Sequence, residues 1–161
     1  MLESYPYQKN FKAKFKAEKT QLTKAIGDFK IQHVGSTAVP GLGGKGIIDI
    51  LIGLHSWQQA PTVIKKLKPL SFTHVHPKEA GRIFLSQRAQ TGLGDIHIHL
   101  AIINGKPYQE FLAFRDYLRK NKGEARRYFR YKQWQLIASC GDRKQYSKQK
   151  GVYINKIIRK P

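Results

Sequence analysis

The segment Ile47-Ile48-Asp49-Ile50-Leu51-Ile52 constrains this chain more than any other. Its apolar side chains do not alternate with polar ones, so both faces of the strand they form must be covered. Such a strand belongs inside a sheet flanked by helices, and here it carries a carboxylate, Asp49, into that interior. A buried acid is costly unless it is paired or bound to a cation. Two readings of Asp49 stay open: an acid with a chemical role, or a satisfied core acid that caps a loop.

The rest of the chain is read around this strand. Apolar spacing predicts helices over 8–27, 57–67, 107–120, 124–140 and 143–158, and strands over 29–34, 71–76, 82–86 and 95–103. The order α-β-β-α-β-β-β-α-α-α is that of a mixed α/β (α+β) layer with a helical C-terminal part. No repeat, low-complexity segment or linker divides it, and 161 residues suit one domain spanning 1–161.

Charge narrows the partners. Thirty Lys and Arg against ten Asp and Glu give a net +20, of which residues 104–161 carry +12. A surface of this kind attracts polyanions such as nucleic acid, nucleotides or anionic lipid. The basic C-terminal helices are therefore expected to flank a cleft or to present a charged face, with RNA as one partner. No apolar run approaches the ~20 residues of a membrane span. The start, Met1-Leu2-Glu3-Ser4-Tyr5-Pro6, has no basic segment followed by an apolar one. A cytoplasmic protein without a membrane partner is the expectation. The single cysteine, Cys140, leaves no internal disulfide or cysteine-based zinc cluster and is expected to be inert.

Several short patterns point to phosphate chemistry. Gly35-Ser36-Thr37 follows a strand, and a tight turn there offers hydroxyls and backbone N–H groups to a phosphate. Gly41-Leu42-Gly43-Gly44-Lys45-Gly46 matches G-x-G-x-x-G literally, but it opens a strand where the dinucleotide fingerprint opens a helix. It is not a P-loop either, since Val39 and Gly46 stand where glycine and Ser/Thr are required. It reads as a flexible loop, or as one that closes over a phosphate with Lys45. Period two puts Asp95, His97 and His99 on one strand face, where two imidazoles suit a divalent metal, an anionic phosphate or a structural role. His74 and His76 have the same spacing beside Pro77. A histidine-triad hydrolase would need a third alternate histidine, but position 101 is Ala. A two-histidine phosphoesterase would need Ser or Thr two residues after each histidine, and neither pair has it. Arg82 suits bidentate phosphate recognition, and Arg115 with Arg119 forms an i, i+4 row that either faces a phosphate or is solvated.

One family shares these patterns. The run His33-Val34-Gly35-Ser36-Thr37-Ala38-Val39-Pro40-Gly41-Leu42, with Lys45 and Ile47-Ile48-Asp49-Ile50, resembles the signature of the GrpB family. So do Gly81-Arg82-Ile83-Phe84, Ile96-His97-Ile98-His99-Leu100, Phe111-Leu112-Ala113-Phe114-Arg115-Asp116-Tyr117-Leu118 and the late Tyr146 and Lys150. The resemblance covers nearly the whole chain. It implies a nucleotidyltransferase-like mixed sheet flanked by helices. In that superfamily a Gly-Ser turn holds a triphosphate, and an Asp-x-Asp strand with a third, later acid binds two divalent cations. The family's own reaction is poorly defined, and its domain is sometimes fused to dephospho-coenzyme A kinase. Carried over, Gly35 and Ser36 form the phosphate turn and Asp49 is the first metal carboxylate. The second carboxylate position is Leu51, and the third-strand position holds His97 and His99 unless Asp95 serves. The family's usual Pro-Tyr-Asp-Pro segment reads Pro6-Tyr7-Gln8-Lys9.

The expectation is an enzyme that binds a nucleoside triphosphate or another phosphorylated small molecule and transfers a nucleotidyl or phosphoryl group. Asp49, His97 and His99 are its catalytic residues and hold one divalent cation, Mg²⁺ or Mn²⁺. Gly35, Ser36, Thr37, Lys45, Arg82, Arg115 and Lys150 contact phosphate. The alternative is a non-catalytic nucleotide- or RNA-binding module on the same scaffold, and a third option is a metal-dependent phosphoesterase using the histidine pair.

Overall fold

The computed structural model describes residues 10–87 and 96–159. Asp95 and the Pro6–Lys9 segment lie outside the described residues.

Five strands, β1 (Lys30–Val34), β2 (Ile48–Leu54), β3 (His74–Val75), β4 (Arg82–Ser86) and β5 (Ile96–Ile102), form one sheet in the order β1-β2-β5-β4-β3. Only β2 and β5 run parallel, and the other neighbours are antiparallel. The isoleucine-rich segment is thus a central strand with a partner on each edge.

Its even-numbered side chains meet α1 (Phe11–Ile26) and α2 (Ala60–Leu67). Ile48, Ile50, Ile52 and Leu54 pack there with Ile98, Leu100, Leu22, Val63 and Leu67. The odd-numbered side chains point to the opposite layer, made of α3 (Lys106–Lys120), α4 (Lys122–Ala138) and α5 (Arg143–Ile158). Leu51 packs there with Val34, Ala101 and Tyr108. Each of the fully buried β2 and β5 aliphatics contributes about 1.5–3 kcal/mol. Together they outweigh the several kcal/mol that desolvating one carboxylate costs. Asp49 is held inside by its neighbours' packing.

Two expected elements differ. The strand over 71–76 shrinks to His74–Val75, because Ser71 takes a left-handed conformation (φ 69°) that closes a turn after Leu70. Phe72 N–H then donates to Leu67 O, and Thr73 N–H to Ser71 O, so those donors are spent locally. The helix over 57–67 opens as a 3₁₀ turn, Trp57–Gln59, and becomes α-helical at Ala60, where Pro61 occupies a first-turn position that needs no N–H. Among the described residues no helix is long and apolar enough to cross a membrane.

Candidate functional site

Between the sheet and the C-terminal helices lies a cleft of about 580 Å³. Parallel pairing sets Asp49 opposite His97 and Leu51 opposite His99, so the acid and both imidazoles share the face that forms its floor. Gly35, Ser36, Lys45, Arg82 and Lys150 line it as well.

Asp49 is the hub. Its Oδ1 lies 3.5 Å from His97 Nδ1 and 3.5 Å from His99 Nε2. On the other edge of His99, Nδ1 is 3.1 Å from Arg82 Nη1. A guanidinium only donates, so this Nδ1 accepts and the ring proton sits on Nε2, aimed at Asp49. Phe84 and Phe111 flank the His99 ring, with centroids 5.4 and 4.7 Å away. Burial pushes this imidazole below its ordinary pKa against the pull of Asp49, so it is neutral near pH 7. Burial alone would raise the Asp49 carboxyl. Polar contact with His97 and His99 outweighs it and holds the carboxyl well below the usual range. Asp49 is a carboxylate at every physiological pH.

The cations come from three directions. Lys45 Nζ, from the glycine loop, lies 4.4 Å from the Tyr146 ring, and Lys150 Nζ lies 5.9 Å from the same ring. Lys132 enters from α4, and its Nζ donates to Gly43 O at 2.7 Å. Ser36 Oγ is beside Gly44, where a Cβ would come within 2.6 Å of it and 3.4 Å of Lys132 Nζ. The bare Gly44 backbone is what lets the turn, the loop and α4 meet. The aromatic wall is Phe84, Phe111, Phe114, Tyr128 and Tyr146.

Two expected phosphate contacts are elsewhere. Thr37 is buried. Its hydroxyl donates to Ile47 O at 3.0 Å and so accepts from His33 Nε2, also at 3.0 Å. Arg115 Nη1 donates to Gln32 Oε1 and His33 O at 3.0 and 3.1 Å, and Asp116 takes the rest of its guanidinium at 2.7 and 3.0 Å. Both residues brace β1 and the turn behind the cleft. Arg119, the other member of the expected row, donates to Ala38 O at 2.9 Å.

The expected metal centre rests on Asp49, His97 and His99. Among the described residues no group of three or more His, Cys, Asp or Glu is arranged to hold a metal ion. The reason lies in the donors: His99 Nε2 carries a proton, both imidazoles address one carboxylate oxygen, and Leu51 supplies no second acid. A cation bound by Asp49, His97 and His99 together does not fit this arrangement.

Sequence reasoning missed Lys132 and Tyr128. A signal exists: Ala125, Tyr128, Lys132 and Gln135 recur at helical spacing and form the buried stripe of α4.

The family model described as GrpB protein matches residues 2–160. The chain belongs to the GrpB family. A UPF0157 protein of Pseudomonas aeruginosa is 30% identical over 154 residues, covering 94% of this chain and 62% of the relative. The chain therefore spans less than two thirds of that relative's length. The glutamate-rich protein GrpB of Alkalihalophilus pseudofirmus is 28% identical over 158 residues, 94% of this chain and 91% of the relative. The crystal structure of GrpB from Enterococcus faecalis superposes with a TM-score of 0.83 at 24% identity, covering 98% of this chain and 95% of that one. A chain of the GLD-2/RNP-8 complex superposes with a TM-score of 0.53 at 13% identity, covering 95% and 58%. The fold of this GrpB-family chain is a mixed α/β sheet flanked by helices, shared with both of these solved structures.

Proposed function

We propose that the cleft binds a nucleotide or another phosphorylated small molecule and transfers a nucleotidyl or phosphoryl group from it to an acceptor hydroxyl. One observation carries this reading: Lys45, Lys132, Lys150 and Arg82 converge on the same cleft as the Asp49–His97 pair. The lysines and the Ser36 turn hold phosphate oxygens, and the aromatic wall takes the apolar part of the ligand. Asp49 faces His97 Nδ1, which leaves Nε2 to accept the acceptor's proton as its oxygen attacks phosphorus. The leaving oxygen departs toward Lys45 and Lys150, whose charge stabilises it. His99, pinned by Arg82, keeps Asp49 oriented. No step is assigned to Mg²⁺ or Mn²⁺.

A non-catalytic nucleotide- or RNA-binding module is the second reading. Trp134 is 59% exposed on α4, beside exposed Arg127 and Arg130, as in a surface that stacks and neutralises a single strand. Calorimetry with ATP, with and without Mg²⁺ or Mn²⁺, and ³¹P NMR of the incubated mixture separate the two. For the transferase, Lys150→Met weakens ATP binding about tenfold, the worth of one charge-assisted contact. With water as the only acceptor in the mixture, the group passes to water and is read as AMP with pyrophosphate or ADP with phosphate; His97→Gln leaves binding intact and abolishes either pair. ATP binding that ignores Lys150, or turnover that survives His97→Gln, overturns it.

A further inference from the structure

We propose that Lys132 is a reactive amine that captures an anionic aldehyde or ketone in the cleft as an imine. The inference rests on the proposed anion cleft for the placing of the compound's anionic group, and on Lys132 alone for the covalent step.

Three observations carry it. Lys132 is 5% exposed, yet it lines the cleft, so its amine is shielded from bulk water and open to a bound ligand. Among the described residues no carboxylate lies within ion-pair distance of it. Its Nζ donates instead to a neutral acceptor, Gly43 O. Two features of its surroundings disfavour a proton: Nζ is buried, and it shares the cleft with the cations Lys45 and Lys150. Against these stand the Tyr128 and Phe129 ring faces, 5.0 and 5.7 Å away, which attract an ammonium. Of the charged groups facing it, Asp49 on the sheet favours the ammonium, as do the Gly43 carbonyl and the two ring faces; the Tyr128 hydroxyl on α4 and the Tyr146 hydroxyl on α5 are held neutral by burial and add no negative charge. Desolvation by burial, with Lys150 and Lys45 adding to it, brings the ammonium pKa down to about 7. A lysine desolvated next to other cations is the arrangement that makes an amine nucleophilic at neutral pH.

The step balances without a co-reactant. Neutral Nζ adds to the carbonyl carbon, and one amine proton passes to the oxygen. The carbinolamine then loses that oxygen as water, with the second amine proton, leaving a C=N bond. One N–H held by Gly43 O fixes the lone pair's direction until the attack. Lys45 and Lys150 are placed to hold the anionic group of the same compound.

The test uses pyridoxal phosphate as an anionic aldehyde and pyridoxal as its phosphate-free counterpart. Each is incubated with the wild-type chain, trapped with borohydride, whose hydride reduces the imine carbon, and mapped by peptide mass spectrometry. The expected result is one dominant adduct on Lys132 among the 21 lysines, forming faster as pH rises through about 7, and slower with pyridoxal. Lys132→Met should lose it, while Lys150→Met retains the site at lower yield. Equal labelling of Lys132 by both aldehydes supports the imine and removes the anion cleft. Adducts spread over exposed lysines, or confined to Lys45 and Lys150, overturn the proposal. The wild-type map decides it without relying on any variant to fold.

Discussion

Gly35→Ala tests whether the turn and the acid are one unit. Gly35 has φ 72° and ψ −169°, a region open essentially to glycine, and an alanine there costs about 1–3 kcal/mol. The new Cβ would also sit 2.9 Å from both Cβ and Cγ of Asp49, and closer still to its Oδ2. Asp49 cannot step aside: its strand is paired on both edges, and its carboxylate is held by two imidazoles. Overpacking of this kind adds about 1–3 kcal/mol. The two costs total about 4 kcal/mol, a fall in melting temperature of about 8–16 °C for a chain of this size. Gly46→Ala is the control. Its φ is 76°, but nothing lies within 4 Å of its added Cβ, so it should pay only the backbone cost, about 1–2 kcal/mol. Calorimetric melting of both variants, and of Gly35→Ala combined with Asp49→Ala, gives the answer. Asp49→Ala removes Cγ and Oδ2, so the pair should couple by about 1 kcal/mol or more. If Gly35→Ala is no worse than Gly46→Ala, or adds to Asp49→Ala without coupling, the close approach is not what the backbone is built around.

Two further perturbations follow from buried or capped groups. Burial lowers the His33 imidazole to about 4, with Arg119 and Arg115 adding to the fall and Asp49 opposing it. The unfolded chain binds that proton first, near pH 6.5, so stability complete above this pH drains away down to about 4, by about 3 kcal/mol. Urea midpoints at pH 7 and 4.5 should diverge in the wild type and draw together in His33→Gln. The depressed carboxyl of Asp49 acts in the same direction at lower pH, its contribution being lost only below the usual carboxylate range. Asp142 caps α5 by accepting from Lys144 N–H at 2.8 Å and Gln145 N–H at 3.1 Å. Asp142→Ala should cost about 1 kcal/mol, read as a melting shift of about 2–4 °C.

The sheet was legible because strand periodicity is simple. A nearly continuous apolar run, interrupted by Asp49 alone, had to be central, and period two put His97 and His99 on one face whatever the pairing. That this face is also Asp49's was not legible, because it depends on the parallel register of β2 and β5, which sequence does not encode locally. Thr37 and Arg115 were misplaced for a related reason. A hydroxyl or guanidinium in a phosphate-like pattern serves equally well to satisfy backbone oxygens, and only the direction of the 3₁₀ turn and of α3 decides. Lys132 was hidden by its surroundings in the chain: among so many basic residues, a buried lysine looks like another solvated one. Its place in the Ala125, Tyr128, Gln135 stripe was the clue.

Three basic side chains on the C-terminal helices grip the end of β1 and the connection that follows it. Arg115 donates to His33 O, Arg119 to Ala38 O and Lys132 to Gly43 O. All three acceptors are main-chain oxygens, which every amino acid possesses. Mutational drift in the connection can therefore exchange one side chain for another without removing an anchor, provided the chain still follows the same path. The burden of inheritance is lopsided. The grasping side chains on the helices carry the specificity of the grip, while the grasped segment is held by its path rather than by its side chains, save at Gly35, Thr37 and Gly44, where the turn, a buried hydroxyl and the approach of α4 fix the residue.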